Sequence, residues 1–161
     1  MDNKDYTALY SDEDKEILKM AEDSLNPKVD RVDEIIAYCK EAGIKRIGIA
    51  NCVSFNKQAE RLTDVLTSEG FTVAKAHCKI GRMRFSDLGL DYKGVSCNPA
   101  GQAQHLEENE TELNIMMGLC LSHDFIFNAK SKAPVTPLVV KDRKLNHHTI
   151  EVLKKKEIIN N

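Results

Sequence analysis

A chain of 161 residues with 23 basic and 25 acidic side chains, net charge −2, is long enough for one compact domain and too short for two. The charges are spread along the chain, so it lacks the basic footprint of a nucleic-acid binder. The polar start Met1-Asp2-Asn3-Lys4-Asp5 lacks a signal-peptide core and no segment reaches the length of a membrane span. The reading is a cytoplasmic protein, a single α/β domain over 1–161 with 1–26 as a helical N-terminal extension. No nucleic acid or membrane is expected as partner, while a small-molecule ligand and an assembly of identical copies are both compatible with it.

In chain order, Ser11 and Asp14 form a capping-box pattern ahead of Ile17, Leu18, Ala21 and Leu25, which predicts a helix over 12–24. Asn26-Pro27 reads as the start of a second helix. Val29, Val32, Ile35, Ile36 and Cys39 form its apolar stripe and Gly43 its stop, placing Cys39 in the core. From Lys45 short apolar runs alternate with helical stretches, which predicts parallel strands near 45–51, 71–77, 113–119 and 136–141.

The connecting helices are expected over 54–68, with Ala59, Leu62, Val65 and Leu66 inward, and over 99–109. A short helix capped by Ser122 runs through Phe127, and a last one near 147–156 turns Ile150 and Leu153 inward. The insertion 79–94 has the length of a lid or binding loop. Together these elements predict a small doubly wound, Rossmann-like or flavodoxin-like sheet with helices on both faces.

Such sheets bind ligands beyond the carboxyl ends of their strands. Cys52, Cys78 and Cys120 stand at predicted strand ends, and Cys97 opens a helix at Cys97-Asn98-Pro99. Cys52, Cys97 and Cys120 each precede a predicted helix, capped by Ser54, Asn98 and Ser122 in turn, where amides and the helix dipole favour thiolate, the form that binds metal or attacks an electrophile. Five cysteines in a reducing compartment read as buried, reactive or metal-bound thiols rather than disulfides.

No Cys-x-x-Cys pair is present, so the fold itself would have to assemble a metal site. Zinc or an iron–sulfur cluster on Cys52, Cys78, Cys97 and Cys120, with His123 as alternative ligand, is one reading. A metal-free enzyme is the other, with Cys120 or Cys52 as nucleophile, His123 as base and Arg143 anchoring an anionic metabolite. A non-enzymatic ligand-binding module is the third. For any single strand-end cysteine, a buried hydrophobe is the plain alternative.

Lys141-Asp142-Arg143 can hold an anion or simply end a strand in solvent. His77 fits a packed imidazole as well as a ligand, and His147-His148 read as exposed residues at the start of the last helix, from which either can overhang the same edge. Ala133-Pro134-Val135-Thr136-Pro137 predicts a rigid strand start with trans X-Pro bonds as the default and cis open at either. No phosphate-loop motif is present.

Several strings resemble, in order, an uncharacterised prokaryotic family, domain of unknown function eighteen forty-seven. They are Gly48-Ile49-Ala50-Asn51-Cys52, Cys78-Lys79-Ile80-Gly81, Cys97-Asn98-Pro99-Ala100-Gly101-Gln102-Ala103, Gly118-Leu119-Cys120-Leu121-Ser122-His123-Asp124 and Ala133 through Arg143. The resemblance runs over about Arg31 to His147. It implies a predicted metal-binding protein in which Cys52, Cys78, Cys97, Cys120, His123 and Asp124 match, with Asn98, Gln102 and Asn114 as polar lining. Many members resembling this family carry an additional cysteine-rich N-terminal segment, whereas the first cysteine here is Cys39. Asn51 replaces an aromatic residue, and Asn146-His147-His148 replaces a Gly-His-Asn-like run.

Overall fold

The computed structural model describes residues 5–155, and its contacts divide the chain into units 1–45 and 46–161. Met1 to Lys4 and Lys156, which figured in the expectations above, lie outside the described residues.

In the first unit α1 spans Asp12–Ser24 as predicted, with Ser11 accepting from the Asp14 amide and Asp14 accepting from the Ser11 amide. Its apolar spacing does not mark a core, since Ile17, Leu18 and Leu25 are exposed. Helix α2 spans Arg31–Glu41 and starts later than Asn26-Pro27 suggests. Asp30, whose carboxylate accepts from the Val32 and Asp33 amides, is the better cap, while Asn26 accepts from the Lys28 amide in a turn. Ile35, Ile36 and Cys39 are buried, as the stripe requires, and Val29 is exposed outside the helix.

The second unit is a four-stranded, all-parallel sheet in the order β2-β1-β3-β4, with β1 Arg46–Asn51, β2 Thr72–His77, β3 Leu113–Met117 and β4 Val135–Val139. This is the α/β doubly wound architecture expected. Helix α3 (Asn56–Ser68) packs on β1 and β2, and α4 (Pro99–Glu108) packs on the same strands and against α5 (Leu121–Lys130). Because strand side chains alternate, Ile47, Ile49 and Ile115 serve one face, and Ala50, Ala76 and Met116 serve the other with Ala103, Leu106 and Phe127. Gly48 leaves room for two neighbouring side chains: a Cβ there would fall 2.0 Å from Asn114 Oδ1 on β3 and 3.0 Å from Leu106 Cδ1 on α4.

Several details differ from expectation. Val65 is exposed although Ala59, Leu62 and Leu66 are buried. The N-cap of α5 is Cys120, with Ser122 inside the helix, and of its aromatics only Phe127 is buried while Phe125 faces solvent. The last helix, α6, covers Glu151–Lys155 and leaves Ile150 and Leu153 exposed. No described peptide bond is cis, so Pro134 and Pro137 are trans, and Pro137 is tolerated because β4 is an edge strand. The 79–94 insertion holds two short 3-10 turns, Ile80–Arg82 and Phe85–Leu88, pinned by an antiparallel bridge between Arg84 and Val95. No helix among the described residues is long and apolar enough to cross a membrane.

Strand β3 stops at Met117 because Gly118 takes φ +62°, and the Phe55 ring fills the space a side chain would need: a Cβ at 118 would meet Phe55 Cε2 at 2.2 Å. Replacing Gly118 with alanine is therefore expected to cost roughly 2–4 kcal/mol through combined backbone strain and overpacking, read by denaturant unfolding.

Candidate functional site

The hydrogen-bond ladder of the sheet continues past the strand ends and fixes the loops that carry the thiols. The Cys52 amide donates to the Met117 carbonyl at 3.0 Å, the Cys78 amide to Asn51 at 2.8 Å, and the Asn98 amide to Cys78 at 2.8 Å. Gln102, fully buried on α4, donates its side-chain nitrogen to the carbonyls of Asn51 at 3.2 Å and Ala76 at 2.6 Å, clamping the ends of β1 and β2. Cys52, Cys78 and the half-buried Cys97 consequently share one apolar cluster with Phe55, Ala76 and Leu119.

The sulfurs form a series. Cys97 Sγ lies 3.7 Å from Cys78 Sγ, Cys78 feels the charge of Cys52, and Lys141 Nζ donates to Cys52 Sγ at 2.8 Å while lying 3.9 Å from Cys120 Sγ. Arg143 Nη2 approaches Cys120 Sγ at 3.5 Å. Among the described residues no group of three or more His, Cys, Asp or Glu side chains stands arranged to hold a metal ion. A cationic side chain lies between Cys52 and Cys120 instead.

The turn after β1, Val53–Phe55, serves two sulfurs at once: the Val53 amide bonds Cys78, and the Ser54 amide and hydroxyl bond Cys52, the hydroxyl at 3.2 Å. Burial works against the Cys52 thiolate but is outweighed by the Lys141 hydrogen bond, the Ser54 hydrogen bonds and the Lys141 charge. The thiol is drawn down to about 7. Cys78, only 2% exposed, goes the other way: burial, offset in part by the Val53 amide and reinforced by the charges of Cys52 and Cys97, pushes it up to about 12. His123 is lowered by burial and by the ammonium groups of Lys79 and Lys141, with Asp124 opposing, which favours the neutral imidazole.

The sequence model of the family described as protein of unknown function (DUF1847) matches residues 2–138. The chain belongs to this family. The match begins earlier than the resemblance read from the motifs and ends before Lys141, Arg143 and His147. An uncharacterized protein, MJ0455, of Methanocaldococcus jannaschii is 42% identical over 127 residues, 76% of this chain and 65% of that protein. The chain thus matches a little under two-thirds of that curated relative's length. No solved structure matches.

Of the residues singled out in this DUF1847 chain, the fold brings Cys52, Cys78, Cys97, Cys120, Lys141 and Arg143 into the series, and His123 within electrostatic reach of Lys141. Asn98 is engaged structurally: its Oδ1 accepts from the Gly101 amide at 2.8 Å and its Nδ2 donates to the Ile80 carbonyl at 3.3 Å, tying the insertion to α4. Asn114 stands apart near the amino end of β3, 1% exposed and bonded to Thr111 and Ser131. Asp124 is not the cap of α5, and His77 accepts from the Lys79 amide at 3.1 Å.

Sequence reasoning missed three participants. Ser54 was read as a helix cap, yet its hydroxyl goes to Cys52. Phe55 shields the Gly118 turn. His147, expected to be exposed, packs edge-on against Phe55 with ring centroids 4.7 Å apart and accepts from the Asp142 amide at 3.0 Å, in a loop where Asn146 and His147 take positive φ. The Lys-Asp-Arg triplet was the available signal, since a charged run just past an edge strand can fold back over the sheet.

Proposed function

We propose that Cys52, Cys78, Cys97 and Cys120 form one site for a soft metal centre, zinc or an iron–sulfur cluster, with His123 as alternative ligand. The observation that carries this reading is the gathering of thiols from four separate segments, two of them with sulfurs 3.7 Å apart. Two thiolates on one tetrahedral zinc stand roughly 3.8 Å apart, given Zn–S bonds of about 2.3 Å. Binding would displace the proton that burial keeps on Cys78 and move aside the Lys141 ammonium that lies between Cys52 and Cys120. Lys141 and Arg143 supply positive charge that offsets the net negative charge of a tetrathiolate centre.

When bound, such a centre would supply structural closure or Lewis acidity if zinc, and one-electron transfer if a cluster. The protein's own part is to hold the sulfurs through the extended ladder, to exclude water with Phe55 and Leu119, and to tune charge through Lys141. Cobalt titration of reduced, metal-free protein is expected to give an intense sulfur-to-metal absorption that saturates near one equivalent. Reconstitution with iron and sulfide is the parallel experiment. Neither producing a saturable chromophore would remove the reading.

The 2.8 Å contact between Lys141 and Cys52 favours a second reading, a metal-free thiol enzyme. There Cys52 rather than Cys120 is the nucleophile, because Lys141 and Ser54 both stabilise its thiolate. His123, held neutral, is the base, and Arg143 anchors an anionic metabolite. Its test is the pH dependence of Cys52 alkylation developed in the Discussion.

A further inference from the structure

Hydrogen bonds on both of its flanks hold Cys97 against Cys78. Upstream, the Lys79 ammonium donates to the Val95 carbonyl at 2.7 Å and the Ser96 amide to the Met83 carbonyl at 2.8 Å. Downstream, the Asn98 amide donates to the Cys78 carbonyl at 2.8 Å and the Asn98 side chain to the Ile80 carbonyl at 3.3 Å. The 3.7 Å between the two sulfurs is thus set by the chain itself, across a separation of 19 residues that takes in the insertion. Both thiols are free.

A disulfide needs its sulfurs about 2.05 Å apart, so each would move by less than about 1 Å, within the reach of small side-chain rotations. The remaining thiols are placed differently. Lys141 Nζ, 2.8 Å from Cys52 Sγ and 3.9 Å from Cys120 Sγ, stands between those two, and Cys39 is buried on α2 in the other unit. Access to the pair is one-sided. Cys97 is half-buried and borders a cavity of about 330 Å³ lined by Met83, Phe85 and Ile126, whereas Cys78 is 2% exposed. A small reagent therefore meets Cys97 first.

We infer that Cys78 and Cys97 are a modification site, a dithiol that exchange with a low-molecular-weight disulfide converts to a reversible intrachain disulfide. The Cys97 sulfur attacks one sulfur of the small disulfide, whose S–S bond breaks, and the departing thiolate takes up the Cys97 proton. The Cys78 sulfur then attacks the Cys97 sulfur, the mixed disulfide breaks, and the second small thiol leaves with the Cys78 proton. Two protein thiols are oxidised to one disulfide and one small disulfide is reduced to two thiols. A link formed first at another cysteine can migrate by the same exchange, so sulfur geometry decides the final pairing. The pairing does not rest on the metal-centre reading. Its consequence for that centre does: the disulfide would take two of the four proposed ligands, so oxidation would release the metal.

Equilibration of the reduced, metal-free full chain with bis(2-hydroxyethyl) disulfide and 2-mercaptoethanol tests it, read by thiol count after denaturation and by peptide mapping. The count is expected to fall from five to three and to recover with dithiothreitol. The Cys78–Cys97 link is expected to exceed every other pairing by at least about tenfold. In Cys97→Ser, Cys78 is expected to stay a free thiol, while Cys52→Ser is expected to form the link as the parent does. A stable mixed disulfide on Cys97 without the link, a dominant link between other cysteines, an unchanged thiol count, or loss of the link in folded Cys52→Ser would each overturn the inference. Loaded first with zinc, the chain is expected to release it as the link forms. A link that forms in a chain unable to take up zinc would count against the metal reading alone.

Discussion

Replacing Cys97 with serine is expected to weaken metal retention on the order of 100-fold or more, and Cys78→Ser is expected to do at least as much. A hydroxyl is a hard, weakly acidic donor, so the substitution removes one soft ligand while preserving size. Cys97 is the cleaner variant because it is half-buried, whereas Cys78 is 2% exposed and its serine hydroxyl would also need a new partner. Cys39→Ala provides the control. That thiol is fully buried on α2, in the other unit, so its loss is expected to lower stability and leave metal stoichiometry unchanged. The measurement is metal per chain after dialysis against a graded chelator. Retention by Cys97→Ser equal to the parent's would exclude that sulfur from the site.

The second large effect is on thiol reactivity in the reduced, metal-free protein. With Cys52 drawn down to about 7 and Cys78 pushed up to about 12, a small neutral alkylating agent is expected to label Cys52 well before Cys78. The sign follows from the ionisation: below pH 7 the Cys52 thiol is protonated and its rate falls tenfold per pH unit, while above pH 7 the rate levels off. Lys141→Met removes the chief stabilising group and leaves only the Ser54 hydrogen bonds to offset burial. The midpoint is then expected to rise toward the ordinary value of 9.0, and the rate at pH 7 to fall about tenfold or more. Mass-spectrometric site mapping across pH decides it. An unchanged profile in Lys141→Met would show that the 2.8 Å contact does not control the thiol.

The sheet was legible because short runs rich in apolar residues alternate with helical stretches, even in β2, where Thr72, Lys75 and His77 interrupt the run. The errors cluster where periodicity and solvent exposure part company. Ile17 and Leu18 have helical spacing without a face to bury, and Ile150 and Leu153 repeat that situation at the other end. Cap chemistry decided correctly at Ser11 and Asn98, whose side-chain oxygens accept from the amide three residues on, and misled at Ser54 and Ser122. At Ser54 the competitor is the Cys52 sulfur, two residues upstream, which no helix rule anticipates.

For the candidate site, position after a strand was enough to place Cys52, Cys78 and Cys120 at one edge, because parallel strands end there, while Cys97 reaches the same edge through its position just before α4. Distances were not legible. Which sulfur meets which cation depends on the loop after β4 folding back, and that loop turns on positive φ at Asn146 and His147 and on a ring contact with Phe55. Asn114 illustrates the converse: a polar residue inside an apolar strand resembles site lining, yet it sits opposite Gly48 and ties β3 to Thr111 and Ser131.

The most direct test of the central claim is elemental analysis, with visible absorption, of untagged protein purified without oxygen. The account predicts stoichiometric zinc, or iron with sulfide and a cluster absorption band, lost when Cys97 is replaced by serine. Protein that carries neither metal nor cluster, and takes up neither on reconstitution, would contradict it.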